Sequence, residues 1–366
     1  MHIKYSPLHR ILMASSLITA VGMQFIFLAS QSLGQEINPG IPRIWTGKTS
    51  GGQTDAPWSE VGNWEPASIP TAYSDVTFGV EDAGRAGEAM VIEVGTSGAS
   101  SHGMFKKLNF EGANSYTFAS PVASAALKGG HEIILAGSGV VTLDVRLLIG
   151  SKSPDVGPII SGSGTLILNR PVTINSSTSL AGLQLMGSVK VFINAEQLTR
   201  EAKDAPVPWM LAEPDVVLGG RGRLITPLSV AAEGSTLKPG ATGSARTDLG
   251  ELTLESGLKL DSSLKAVFGV TSGGADSLKI VGPIEISGGT FLEISLEGIE
   301  GSSGAAPKGP IVLIDASEGT GEGVAKLAEL VRLAPAHKLP AGWALDPAYG
   351  KQGIETKGNR ISIRFR

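Results

Sequence analysis

The side chains of this chain that could do chemistry are few and scattered. His131 follows Gly129-Gly130 and precedes Glu132, and an imidazole beside a carboxylate acts as an acid/base pair only when both converge on one proton. No second histidine is near in sequence, and neither His-Glu-x-x-His nor a Cys-His cluster occurs, so no zinc site is spelled out. A lone histidine ahead of a strand reads as a turn residue, and His102 in Ser101-His102-Gly103 reads the same way. Enzymes that cleave acidic polysaccharides gather aspartates and basic residues on one strand face, to bind Ca²⁺ or to act as paired acid and base. Here there is no Asp-Asp pair, and Asp261, Asp276 and Asp315 lie far apart, as solvated turn acids do.

The remaining motifs lead the same way. Ser161-Gly162-Ser163-Gly164 resembles a nucleophile elbow, but it joins two strand-like runs rather than a strand and a helix. Gly219-Gly220-Arg221-Gly222 lacks the Lys-Ser/Thr and the helix of a phosphate loop, and it leads to Leu224 rather than to the aspartate of a Ca²⁺-binding nonapeptide. The expectation is a protein that is not an enzyme, with no catalytic residue, no cofactor and no metal site.

The elements that carry these residues are more informative than the residues themselves. In Val216 to Gly240, short apolar bursts alternate with glycines and end on Pro239-Gly240. Leu224 and Ile225 form one short strand, Pro227 blocks any helix, and Leu228, Val230 and Ala231 form another, with Leu237 a further inward residue. Gly219, Gly220 and Gly222 permit tight corners ahead of them. Strands this short cannot bury a face by hairpin pairing alone, so successive coils of chain must stack on one another. The same grammar recurs. Ile133 to Leu143 is echoed by Ile159 to Leu168, with Gly137 and Gly162 at matching places, and Leu252 to Leu260, Leu264 to Val270, Leu278 to Val281 and Thr290 to Leu296 continue the series. No single fixed period covers all of them.

Composition agrees. The 366 residues include 49 glycines but only 5% aromatics and 17% charged residues, which implies a thin aliphatic core rich in turns. A stack escapes the usual size limit on a domain because each coil brings its own slice of core. Net charge is −4 and no basic run invites nucleic acid. Cysteine is absent, so an oxidising destination is permitted but unused.

In chain order, residues 1–34 read as a secretory signal. Lys4, His9 and Arg10 precede the apolar run Ile11 to Leu28, and Ser32-Leu33-Gly34 resembles a cleavage site. An uncleaved membrane anchor is the alternative, since the run is near the minimum spanning length; after cleavage no membrane span is left. Residues 35–86 carry Trp45, Trp58 and Trp64 among Gly, Pro, Ser and Asp. They read as a cap over the open end of a stack, or else as a ligand platform of exposed rings. Residues 87–315 form the repeat body, interrupted near 195–214 by a surface insertion with a helix-compatible run from Leu198 and with Trp209 covering the flank. Residues 316–366 form a C-terminal cap. In it Val324, Leu327, Leu330 and Val331 share one helical face, Lys326, Glu329 and Arg332 face water, and Ile361 to Arg366 is a last strand of the stack.

Trp45-x-Gly47, Trp58, Asn63-Trp64, Pro70 and Asp75-x-Thr77-Phe78 resemble the N-terminal segment of bacterial exported proteins with autotransporter-associated β-strand repeats. Val217 to Gly240 is similar to that family's recurrent element, in which a Gly-x-Gly-x-Leu strand leads to a further strand and a Pro-Gly turn. Asp276-Ser277-Leu278-Lys279-Ile280 and Gly289-Thr290-Phe291-Leu292 resemble its final coils, so the likeness covers most of Trp45 to Asp315. It implies an all-β, right-handed parallel β-helix displayed outside the inner membrane, secreted, periplasmic or on the cell surface. One departure stands out. About 50 residues follow Ile314, too few for the family's translocating barrel. Two readings follow: a non-catalytic scaffold or adhesin-like module with a polysaccharide or protein partner at the cell surface, or a carbohydrate-active β-helix using Glu132 with an acid from a neighbouring coil.

Overall fold

The computed structural model describes residues 40–48, 55–79, 89–95, 102–150, 156–174, 182–197, 208–243, 248–299, 304–351 and 353–366. The leader and the helix-compatible run from Leu198 lie outside them. From Gly40 to Arg366 the chain is one compact unit. It is all-β with parallel sheets, an arrangement compatible with a β-solenoid, and among the described residues it carries one α-helix, Glu322–Leu330. No helix among the described residues is long and apolar enough to cross a membrane.

Consecutive strands take places in different sheets. Leu183–Leu185 lies in a 14-stranded sheet, Lys190–Ile193 in a 12-stranded sheet and Glu196–Gln197 in a 7-stranded sheet; Trp209–Leu211 then returns to the first, beside Leu183–Leu185. Val217–Gly220, Arg223–Leu224 and Leu228–Val230 repeat the circuit. Each sheet therefore grows by parallel pairing between segments about one circuit apart, and the β-branched and leucine residues of one segment meet those of the next.

Register makes this concrete. In the first sheet Val76, Leu108, Ile133, Ile160, Leu185, Leu211, Val230 and Leu260 are successive partners, and every one is buried. In the second, Met90, Tyr116, Val141, Leu166, Val191, Leu218, Leu237 and Ala266 form a matching column. Full burial of one such aliphatic side chain is worth about 1.5–3 kcal/mol, so each level contributes its own share of core. Circuit length varies: Leu108 pairs with Ile133, 25 positions on, but Leu211 pairs with Val230, 19 on, and Val230 with Leu260, 30 on. That is why Gly162 meets Leu135 rather than Gly137.

Several expectations are corrected. Trp209 does not cover a flank: it is fully buried in a strand, between Leu183 and Leu228. The strand after Pro227 is Leu228–Val230, and Ala231 is exposed beyond it. Gly219 and Gly220 belong to the strand Val217–Gly220 rather than to a corner. His131 sits inside the strand Ala126–Leu135, not in a turn before it.

The ends differ from the middle. At the N-terminal end of the first sheet, Ile41–Trp45 pairs parallel with Ser74–Phe78 and antiparallel with Trp64–Glu65. Trp45, Trp58 and Trp64 are at most 2% exposed, so none of these three rings is open for a ligand to stack on. Their rings pack edge to face at 4.8 and 4.9 Å, and Trp64 Nε1 donates to the Trp58 carbonyl at 2.8 Å. Near the C-terminus parallel growth runs on through Val331–Leu333. Arg360–Arg364 then pairs antiparallel with both Pro310–Asp315 and Ile354–Lys357, so this final strand does not continue the parallel winding. The helix buries Val324 and Leu327 and exposes Lys326 and Glu329, while Val331 already belongs to the following strand. Arg332 places its guanidinium 4.6 Å from the centre of the Phe291 ring.

Candidate functional site

Parallel register decides which candidate groups meet. Glu132 has Lys107 as its partner on one side and Ile159 on the other, and Lys107 Nζ lies 3.4 Å from its carboxylate. Among the described residues the register partner of Glu132 in the next coil is thus an isoleucine and not the second carboxylate of an acid/base pair. His102 opens the strand His102–Phe110 beside Ala126, at the opposite end of its strand pairing from Glu132, which meets Lys107. Ser161 and Gly162 pair with Ile134 and Leu135, as plain strand residues.

The three aspartates have three different fates. Asp261 is bound by Lys259 at 2.9 Å and by the Ser287 hydroxyl at 2.8 Å, which together hold its pKa below the ordinary value. Asp315 accepts from Arg360 and from the Ser317 amide. Burial works to raise its pKa, but these partners outweigh burial and lower it. Asp276 is no solvated turn acid: it is fully buried, and its carboxylate accepts from the Gly250 amide at 2.9 Å and the Gly269 amide at 2.6 Å. It also lies against Gly240, where a Cβ would fall 1.9 Å from Oδ1. The carboxylate thus ties the Gly250 amide to the strand Leu264–Thr271 and packs against the Gly240 turn, a structural role.

What the register does bring together is a set of lysines on the outer face of the second sheet. Lys190, Thr236 and Lys265 fall in one row through the pairs Lys190 with Val217, Val217 with Thr236 and Thr236 with Lys265, and Lys238 stands two residues beyond Thr236. Two adjoining hollows open there. One of about 320 Å³ is lined by Val217, Thr236, Lys238, Lys265, Val267 and Ser295, together with the strap 336–338; the other, of about 140 Å³, is lined by Lys190, Phe192, Val217, Lys238, Ala241 and Gly243.

Two segments make this face concave. On one side Ala241–Gly243 folds over Phe192, held by a bond from Asn194 Nδ2 to the Thr242 carbonyl at 3.2 Å. On the other the strap 336–338 lies along the edge of Leu292–Gly298. Lys338 N donates to the Leu296 carbonyl at 2.9 Å, Gly298 N donates to the Lys338 carbonyl at 2.6 Å, and Leu296 N donates to His337 Nδ1 at 3.4 Å. Burial lowers the His337 pKa, and the Glu293 charge pulls the other way without cancelling it. The lowered pKa favours the neutral imidazole, the form in which Nδ1 can accept. Lys238 reaches Glu297 at 3.9 Å.

Sequence reasoning missed this groove. Its lysines are up to about 150 positions apart, and only the outward alternation around Val191 and Leu237 marks Lys190 and Lys238 as members of one surface. Comparison with protein-family models, with curated proteins and with solved structures finds no match for the chain.

Proposed function

We propose that this chain is an exported, non-catalytic, right-handed parallel β-solenoid, a scaffold or adhesin-like module of the kind that carries autotransporter-associated β-strand repeats. One observation carries the reading: the chain circulates through three sheets while each sheet grows by parallel neighbours, which yields a long rigid flank built from many equivalent positions. Rigid flanks of this sort suit multivalent contact, where many weak interactions add. The tryptophan segment then closes the first coil, and the helix Glu322–Leu330 with the antiparallel strands after it closes the last. Export rests on the sequence of residues 1–34.

The carbohydrate-active alternative would use Glu132, which is paired with Lys107 and has Ile159 as its register partner in the next coil. A screen of the purified protein against acidic and neutral polysaccharides, following binding and product release together, tests the reading. Binding without release of oligosaccharide is the expected result. Release of oligosaccharide would retire the non-catalytic reading, and recovery of the mature chain only from the cytoplasm would retire export.

A further inference from the structure

From the lysine-rimmed groove on the second sheet, we infer a binding site for a short acidic oligosaccharide of the uronate class. The inference rests on the exported binding-module reading and names its ligand. The groove carries Lys190, Lys238, Lys265 and Lys338. Its acids are Glu297, already engaged by Lys238, and Glu293, the register partner of Lys265. Among the described residues, Lys190, Lys265 and Lys338 have no carboxylate within ion-pair distance. A local excess of positive charge therefore stands on a chain whose net charge is −4, which favours an anionic occupant in the groove.

The floor narrows the class. Phe192 and Val267 are buried beneath the groove and Val217 is half-buried in it, with the Thr236 and Ser295 side chains between the lysines. A sugar ring presents an apolar C–H face and an equatorial belt of hydroxyls. Such a ring sets its face on Val217, its hydroxyls toward Thr236 and Ser295, and its carboxylates toward the ammonium groups. Adjacent strands are about 4.8 Å apart, so the three-strand step from Lys190 to Lys265 spans roughly 14 Å, the reach of a few sugar units rather than of one small anion. A nucleic acid fits less well. It would find no exposed ring for base stacking, since Phe192 is 2% exposed, and no arginine lines either hollow. A lipid surface cannot enter a concave strip between two raised segments.

Titration calorimetry of the full mature chain with a defined oligogalacturonate, a neutral oligogalactan of the same length and a single-stranded oligonucleotide tests the inference. The wild-type chain is expected to bind the uronate, more weakly as salt rises, and to bind the other two at least tenfold less tightly. The paired change Lys238→Gln with Lys265→Gln is expected to weaken uronate binding tenfold or more. Lys326→Gln with Lys357→Gln, on exposed lysines outside the groove, is expected to leave it unchanged. Circular dichroism confirms that each variant is folded. No uronate binding by the wild-type chain, equal binding by the groove variant, or equally tight oligonucleotide binding overturns the inference while leaving the non-catalytic reading intact. Cleavage of the bound uronate would instead retire the non-catalytic reading and keep the site.

Discussion

Asn194 and Asn169 are 25 positions apart in the chain and one hydrogen bond apart in space: Asn194 Nδ2 donates to Asn169 Oδ1 at 2.9 Å. Asn169 Nδ2 in turn donates to Asp144 Oδ1 at 2.7 Å. The three side chains form a polar ladder running across the coils, just beyond the buried partners Leu143, Leu168 and Ile193. Replacing Asn169 by Ala removes the middle rung: Asp144 Oδ1 loses its donor, and Asn194 Nδ2 keeps only the Thr242 carbonyl. The expected cost is about 1–3 kcal/mol, read as a lower midpoint in urea unfolding with an unchanged slope. Asn169→Asp sets a second carboxylate beside Asp144 and is expected to cost at least as much near neutral pH, and less in acid.

Asp276 predicts a larger effect. Removing its carboxylate orphans the buried Gly269 amide and releases the Gly250 amide, so Asp276→Ala is expected to destabilise the fold by about 2–4 kcal/mol, in the range for charge-assisted bonds lost from the interior. Gly240→Ala strikes the same knot from the other side. Gly240 has φ +77°, and a Cβ there would collide with the Asp276 carboxylate. Thermal unfolding of both variants checks this; an unchanged melting temperature for either would show that the knot is dispensable.

The buried tryptophans predict an association defect. Deleting residues 35–78 strips away Trp45, Trp58 and Trp64 and leaves the strand His102–Phe110 with an unpaired edge and the Phe110 ring uncovered, since it stacks on Phe78 at 4.9 Å. Light scattering during size-exclusion chromatography should then report chain-to-chain association, because exposed edges recruit other edges. A monodisperse monomer would remove the capping role from this segment.

His337 predicts a pH dependence of a definite sign. Its pKa in the folded chain lies below the ordinary histidine value of about 6.5, chiefly through burial. The unfolded chain therefore takes up the proton first as pH falls, so the contribution of neutral His337 is present above about 6.5 and declines as pH drops below it. Melting temperature should fall between pH 7 and pH 5, and His337→Gln should flatten that slope. Asp261 and Asp315, with lowered pKa values, contribute stability above about 4 that is lost at still lower pH.

Much of the strand content was legible because short range sufficed. The alternation of Leu292, Ile294 and Leu296 marks inward positions that are indeed buried, and Leu224 and Leu237 are inward as their spacing implies. Long-range register was not legible. Circuits of 19 and 30 residues lie side by side at Leu211, Val230 and Leu260, since loops of different length can close onto the same pairing at little entropic cost. Trp209 was misread because the prolines at 206 and 208 mask a three-residue strand. Asp276 was misread because nothing local tells which distant amides a carboxylate between short turns will reach. The lysine groove was invisible for the same reason, as its members become neighbours only once the register is known.

The winding itself is open to one direct measurement, because the chain has no cysteine of its own. Thr142 and Ile167 are parallel partners on the outer face of the second sheet, whereas Thr173 pairs with Leu148 in the first. Cysteines at 142 and 167 would stand about 4.8 Å apart at Cα, inside the range a disulfide accepts. Mild oxidation of the folded Thr142→Cys/Ile167→Cys variant is predicted to give an intramolecular disulfide quantitatively, with none in Thr142→Cys/Thr173→Cys. Cross-linking of the second pair, or of neither, would contradict parallel stacking of successive coils.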